Sequence, residues 1–510
     1  MANLSTSALV VLALAAASPG SVGAARETPH LGQILDLAES PIVRGLGPTH
    51  PQWSMDATPF YHDGVWHLFH MQNDGALAHR SSRDLVRWRI HPVALWLGEP
   101  GEPDGANIAT GTVLRGPDDR FYYFYTGNQN VCLATSDDLD SWQKHEGNPI
   151  LVADNVHASA ANFRDPFVFY HEPEACWWML LCSQVPGRFH QRSACVALAK
   201  SPDLLHWELK PPLWAPGFGQ ACDCPQVLEH DGRWYLFTLD RNAHYRVAES
   251  LDGPWQRPPV RSWIPYPSFA MSRPATDGDR WVTFPFMCSR AGDSDRGDVV
   301  QARVYSVPRQ IGFEPDGSLS ERVPPELVEA ILARPACEEE LLAGATSPVG
   351  AWQFQDGGFS SDPRFQASLL HVPGMPDDFY LEADLTLSTE RMDFSILFRA
   401  APELAEAYAL DFMPEEKQLA LHPYRIWDNR SVLAANPCDL PSGRPIRVRL
   451  FVVGSTMEVF VGDKWSLSHS VYEHARGDLY LEHRDGVVTV SNLRIRRLQA
   501  EPALQPGTSP

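Results

Sequence analysis

Ser82-Arg83-Asp84-Leu85-Val86-Arg87-Trp88 decides the fold, because it returns. It comes back as Ser136-Asp137-Asp138-Leu139-Asp140-Ser141-Trp142 and as Ser201-Pro202-Asp203-Leu204-Leu205-His206-Trp207. A shortened copy is Ser250-Leu251-Asp252-Gly253-Pro254-Trp255. The tryptophans at 88, 142, 207 and 255 stand 54, 65 and 48 residues apart. Recurrence at such a period belongs to propellers and solenoids.

Working outward, each copy is preceded by a tight turn and an aromatic run. Asp63-Gly64-Val65-Trp66-His67-Leu68-Phe69 has counterparts in Asp119 to Tyr125 and Asp231 to Phe237, with looser versions at Trp177 to Leu181 and Asp279 to Phe284. A turn followed by β-prone residues reads as a hairpin. Before each turn stands one more short strand: Thr58 to Tyr61, Thr110 to Leu114, Pro166 to Tyr170, Pro225 to Leu228 and Phe269 to Pro274. Five strand-only units with no helix between them predict a five-bladed β-propeller. A large β-sandwich is the competitor, but sandwiches do not repeat their turns in this way.

The repeat stops near residue 318. Pro324-Pro325 opens a helical linker over residues 319–349, broken at Pro335. From 350 to 498 the runs Phe379 to Leu387, Ile446 to Val452 and Met457 to Val461 alternate apolar and polar residues, which predicts a β-sandwich. The fold class is therefore all-β: a propeller over 26–318 followed by a sandwich, with a Pro-rich disordered tail over 499–510.

A chain of 510 residues is long enough for two domains. Its net charge of −21 argues against nucleic acid or an anionic membrane as partner, since both need a basic face. Residues 1–25 carry the apolar run Ser7 to Ala17 and then small residues, as a secretory signal does, although no Lys or Arg precedes the run. Secretion is the expectation and a cytoplasmic location the alternative. The nine scattered cysteines form no disulfide framework, and Cys222 and Cys224 lack partners at zinc-like spacing. No metal and no cofactor is expected. His62, His67, His70 and His79 read as structural, hydrogen-bonded histidines.

In a propeller the first strand of every blade lines the central channel. Asp56, Asp165 and Asp223 stand at the starts of such strands in blades one, three and four, at what reads as one place in the repeat. Blade two has Thr110-Gly111-Thr112 there, and blade five Phe269-Ala270-Met271-Ser272. Pro166 should force Asp165 into an extended conformation, with Arg164 and Asp165 on opposite faces of a regular strand. Crowded carboxylates are costly unless something uses them. Two carboxyls across a glycosidic bond are the equipment that hydrolyses it, one ionised and one protonated. A third would favour an oxocarbenium-like transition state electrostatically.

The ordered set Trp53-x-x-Asp56, Tyr61-His62-Asp63-Gly64-x-x-His67-Leu68-Phe69, His79 to Trp88, Tyr125-Thr126-Gly127-Asn128, Phe163-Arg164-Asp165-Pro166 and Asp223-Cys224-Pro225 resembles the glycoside hydrolase family 32 β-fructosidases. Met457-Glu458-Val459-Phe460-Val461 resembles that family's appended sandwich. The resemblance implies Asp56 as nucleophile, Asp165 as transition-state stabiliser and Asp223 as acid/base. It further implies Arg164, Trp53, Gln72, Asn73 and Thr110 as substrate-binding residues and a carbohydrate as partner. Two departures stand out. Ala57-Thr58-Pro59 follows Asp56 where the family has Pro-Asn-Gly, and Asp223 replaces the family's Glu. The expected activity is cleavage of fructosides or related furanosyl oligosaccharides. The alternatives are an inverting arabinosidase or xylosidase on the same propeller and a carbohydrate-binding protein that does not cut.

Overall fold

The computed structural model describes residues 54–498, apart from 73–74, 241, 260–268, 271–272, 356 and 426–430. Trp53, Asn73, the signal-like segment and the tail lie outside the described residues.

Each hairpin turn in blades one, two and four opens on an aspartate in the left-handed region, Asp63 at φ 48°, Asp119 at 67° and Asp231 at 49°. In blades one and four a glycine follows at φ 76°. Two successive positive φ angles give the turn whose twist matches the strands it joins. The repeated corner is equally local. Oδ1 of Asp84, Asp138 and Asp203 accepts from backbone amides two and three residues on, at 2.7–3.0 Å. The next residue is a buried leucine at φ 58°, 66° or 71°, and the following tryptophan donates its indole N–H to that leucine's carbonyl. The motif recurs because one aspartate, one leucine and one tryptophan together close the turn.

Blade one is built on Ser54–His62, Val65–Gln72 and Ala76–Ser82, with two short strands, Arg89–Ile90 and Leu95–Trp96, on its outer edge. Blade two runs from Ile108–Arg115 outward to Gln143–Lys144, and blade three from Arg164–His171 outward to Glu208–Trp214. Blade four contributes Asp223–His230, Arg233–Asp240 and Asn242–Ala248. Blade five is split in two: Phe269–Ala270, Phe286–Arg290 and Val299–Tyr305 pair at one end, and Ala275–Thr276, Trp281–Thr283, Arg309–Phe313 and Leu319–Arg322 at the other. The last of these strands extends the propeller into residues that the sequence assigns to the linker.

Apolar seams join the blades into a ring. Phe69 and Leu77 pack on Tyr123 and Trp142, Phe124 and Leu133 on Val168 and Trp207, and Trp178 and Val196 on Val227 and Trp255. Leu228 and Phe237 pack on Met287 and Ile311. The ring closes where Trp66 and Trp88 of blade one meet Val282 and Phe284 of blade five. Each corner tryptophan thus fills the seam to the preceding blade.

The linker forms two helices, Pro325–Leu332 and Glu338–Ala343. Leu327 and Ile331 of the first wedge against Val307 of blade five and Tyr380, Phe451 and Phe460 of the next domain. That domain is a sandwich of two seven-stranded antiparallel sheets around one core. No helix among the described residues is long and apolar enough to cross a membrane. The cysteines form no disulfide among the described residues.

Candidate active site

The first strands of blades one, three and four each bulge at the acidic end. Pairing slips between Met55 and Thr58, between Arg164 and Phe167, and between Asp223 and Gln226. A bulge of this kind re-aims side chains toward a site. Asp56, Asp165 and Cys224 occupy the equivalent bulge position, at φ 47°, 60° and 48°. Two expectations change here. Asp56 lies inside its strand, and Asp223 stands one residue earlier in the repeat than Asp56 and Asp165, at the place Arg164 holds in blade three. Nor is Asp165 extended. Its amide donates to Thr126 Oγ1 at 2.8 Å, and its Oδ2 accepts from the Cys224 amide at 3.1 Å. These bonds hold the bulge against the preference that Pro166 imposes.

The bulge also brings Arg164 and Asp165 to the same side. Arg164 Nε lies 3.5 Å from Asp165 Oδ2, while its Nη2 is hydrogen-bonded to Asp223 Oδ1. Nη1 donates to Asn162 Oδ1 at 2.5 Å and to Gln129 Oε1 at 3.5 Å. Cys182, which pairs with Arg164 across the blade-three hairpin, donates its thiol to the same Asp223 oxygen at 3.1 Å. One side-chain atom from each of Asp165, Cys182 and Asp223 falls within a 4.8 Å cluster.

Blade five supplies a cation that the sequence reading missed. Arg273 is buried and donates Nη2 to the Asp165 carbonyl at 2.7 Å. Its Nη1 reaches the carbonyls of Pro166, at 3.2 Å, and Gly111. One side chain therefore spans blades five, three and two across the channel.

Two guanidinium groups thus face three carboxyls. Burial pushes the Asp56 carboxyl up to about 7, and the charges of Asp165 and Asp223 push the same way against Arg273 and Arg164. Asp56 nonetheless keeps part of its surface open. Burial also raises Asp165, opposed by Arg164. Burial disfavours the Arg164 charge, yet Cys182, Asp223 and Asp165 together hold its pKa above the usual value. Burial and Asp223 keep the Cys182 thiol protonated.

Of the other expected residues, Gln72 ends the second strand of blade one opposite Ser54 and is partly exposed. Thr110 is buried, 2.9 Å from the Thr58 hydroxyl, and ties blade two to blade one. Arg273 left no mark in the repeat because its segment carries no acid. Cys182 became relevant only through its register with Arg164.

The sequence matches the model described as glycosyl hydrolases family 32 N-terminal domain over residues 50–252. It matches glycosyl hydrolases family 32 C terminal over residues 361–497. Among solved structures, fructan 1-exohydrolase IIa from Cichorium intybus superposes with a TM-score of 0.65 at 16% identity, covering 88% of this chain and 97% of that one. Exo-inulinase from Aspergillus awamori gives 0.64 at 18% identity, with coverages of 88% and 97%. In sequence, beta-fructofuranosidase, insoluble isoenzyme CWINV1, of Arabidopsis thaliana is 30% identical over 193 residues, 34% of this chain and 32% of that protein. The extracellular exo-inulinase of Meyerozyma guilliermondii is 25% identical over 239 residues, 40% of this chain and 43% of that protein. The chain thus spans less than half the length of these curated relatives. With both domain models matched in order, on a propeller followed by a sandwich, the chain belongs to glycosyl hydrolase family 32.

Proposed function

We propose that the chain hydrolyses fructosides or related furanosyl oligosaccharides at the acidic ends of the first strands of blades one, three and four. The observation that carries this reading is the meeting of Asp56, Asp165 and Asp223 from three separate blades, with Arg164 in contact with two of them. Ionised Asp56 attacks the anomeric carbon while Asp223 gives its proton to the leaving oxygen. Asp223 then takes a proton from water, whose oxygen displaces Asp56 and regenerates both carboxyls. Asp165 and Arg164 hold sugar hydroxyls and stabilise the developing positive charge. The test replaces Asp56 with Asn and measures reducing sugar released from a panel of fructans and arabinosides. Unchanged turnover on an active substrate removes Asp56 from the mechanism.

A second reading, binding without cleavage, is favoured by Asp223 itself. It is one methylene shorter than the family's glutamate, and Arg164 and Cys182 hold one of its oxygens. Calorimetry showing sugar binding with no turnover on any panel member selects it. Inversion in place of retention is read from the first-formed anomer by NMR. Export through the segment at residues 1–25 belongs to the main reading. A chain without disulfides among its described residues would suit a reducing compartment as well. The N-terminal sequence of the protein recovered from cells and from medium decides between the two.

A further inference from the structure

The seam between blades one and two holds a cluster that the axial acids do not use. His79 lies on the third strand of blade one, His91 just beyond its short fourth strand, and Asp140 on the repeated corner of blade two. That corner follows a third strand running parallel to the first, so the cluster sits at the opposite end of the blades from Asp56, Asp165 and Asp223.

One ligand atom from each of His79, His91 and Asp140 lies within 4.8 Å of the others, and both Nδ1 atoms face Asp140 Oδ1, at 3.6 and 2.5 Å. His79 Nδ1 is the telling atom. Its side chain is fully buried, the nitrogen has no hydrogen-bond partner, and it faces Asp140 Oδ1 at 3.6 Å. An unpartnered buried ring nitrogen is costly unless something completes it. The remaining ring nitrogens are held as supports for a bound metal would be. His79 Nε2 is 2.9 Å from His67 Nδ1, and His91 Nε2 is 2.7 Å from the Ser81 hydroxyl. A proton on each Nε2, donated to His67 and Ser81, leaves both Nδ1 lone pairs bare. The Ser81 hydroxyl accepts as readily as it donates, so it serves this tautomer of His91.

We propose that His79, His91 and Asp140 form a binding site for a divalent transition-metal ion of the zinc class, which clamps blade one to blade two. Two imidazoles and one carboxylate are a donor set that suits such ions, with water completing the coordination. In the metal-free protein the contact between His91 Nδ1 and Asp140 Oδ1, at 2.5 Å, is bridged by a proton. On binding, that proton moves to His91 Nε2 and the ion takes its place. The His79 and His91 rings, now stacked 4.0 Å apart, open enough to aim both nitrogens at it.

The experiment titrates chelator-treated full-length protein with Zn²⁺ by calorimetry, and with Co²⁺ by its visible absorption. Melting is followed with and without Zn²⁺. Asp140→Asn, at a partly exposed position, and His91→Gln, at a nearly buried one, are tested beside the wild type, and both leave buried His79 in place. One equivalent should bind and raise the melting temperature. Loss of the metal-supporting partners of a site costs ten- to a hundredfold in affinity, so loss of a ligand should cost roughly a hundredfold or more. Wild-type protein that takes up no equivalent of Zn²⁺, or variants that bind it as tightly as wild type, overturn the proposal.

Discussion

The Cys182 thiol donates to Oδ1 of Asp223 across 3.1 Å, the same oxygen that Arg164 holds. The thiol is buried and protonated, so it acts as a donor at any working pH. With Oδ1 committed, the proposed reaction takes the leaving-group proton from Oδ2. Hydrogen bonds to charged groups contribute about 1.5–3 kcal/mol, so Cys182→Ala should lower kcat by roughly ten- to a hundredfold with KM little changed. Cys182→Ser keeps a donor and should recover most of the loss. Equal kcat in Ala and wild type would reduce Cys182 to a space-filling role.

Asp56 makes the chain sensitive to pH near neutrality. Its folded pKa of about 7 lies above the ordinary 3.8 because burial and the other two carboxyls disfavour the charge. In the proposed reaction it must be ionised to attack, so kcat/KM should rise through a limb near pH 7. Stability runs the other way. The native state holds a proton that the unfolded chain releases above about pH 4. Asp56's contribution is therefore fully present below that pH and lost as pH rises through 7. Urea unfolding at pH 5 and pH 8 should show the decline, of order a few kcal/mol at most. Asp56→Asn should flatten it. A decline of the same size in the variant assigns it to other groups.

The blade count and the corner motif were legible because each is written locally. One aspartate caps amides two and three residues on, and one tryptophan bonds a carbonyl three residues back. Repetition then multiplies the signal. The bulges were not legible. They turn Asp165 to positive φ against its own proline and put Cys224, not Asp223, in the repeated position. Cross-strand pairing and contacts between blades stabilise them, and neither shows in a linear pattern. Arg273 and Cys182 stayed hidden for the same reason. One reaches across the channel, and the other depends on a hairpin register.

Arg273 is a positioning residue for Asp165. Its guanidinium holds the backbone carbonyls of Asp165 and Pro166 and also lowers the pKa of Asp56. Arg273→Met removes the charge and takes from the Asp165 carbonyl its guanidinium donor, a loss of about 1–3 kcal/mol, while Pro166 and Gly111 keep the hydroxyls of Thr112 and Thr58. Melting temperature should fall, and the ascending limb of kcat/KM should move above its wild-type position because Asp56 loses a neighbouring cation. Arg273→Lys restores the charge without the fork, so it should return the limb toward wild type while recovering less of the stability. A limb that stays fixed in Arg273→Met would separate Arg273 from the reaction and leave it a purely structural tie.

The two domains are joined by a buried charge cluster. Arg309 of blade five places Nη1 2.5 Å from Glu321 Oε2 and Nη2 3.1 Å from Glu458 Oε2, which comes from the sandwich strand Thr456–Val461. Ser466 and Ser468 of the neighbouring sandwich strand each accept from it at 2.8 Å. All three charged side chains are nearly inaccessible. Breaking a buried pair by removing one partner costs about 3–5 kcal/mol, because the other charge is left uncompensated. Two carboxylates are stranded in Arg309→Met, so its loss should reach the upper part of that range in urea unfolding. Glu458→Gln keeps the shape and still accepts from Arg309 and Ser306, and should cost less. The interface also contains the apolar wedge of Leu327 and Ile331, so the domains should stay together as unfolding begins. Limited proteolysis at the linker is the measurement that separates the cases. Early cleavage between residues 332 and 338 in Arg309→Met, before the blades are cut, would mean that the charge cluster and not the wedge holds the sandwich against the propeller.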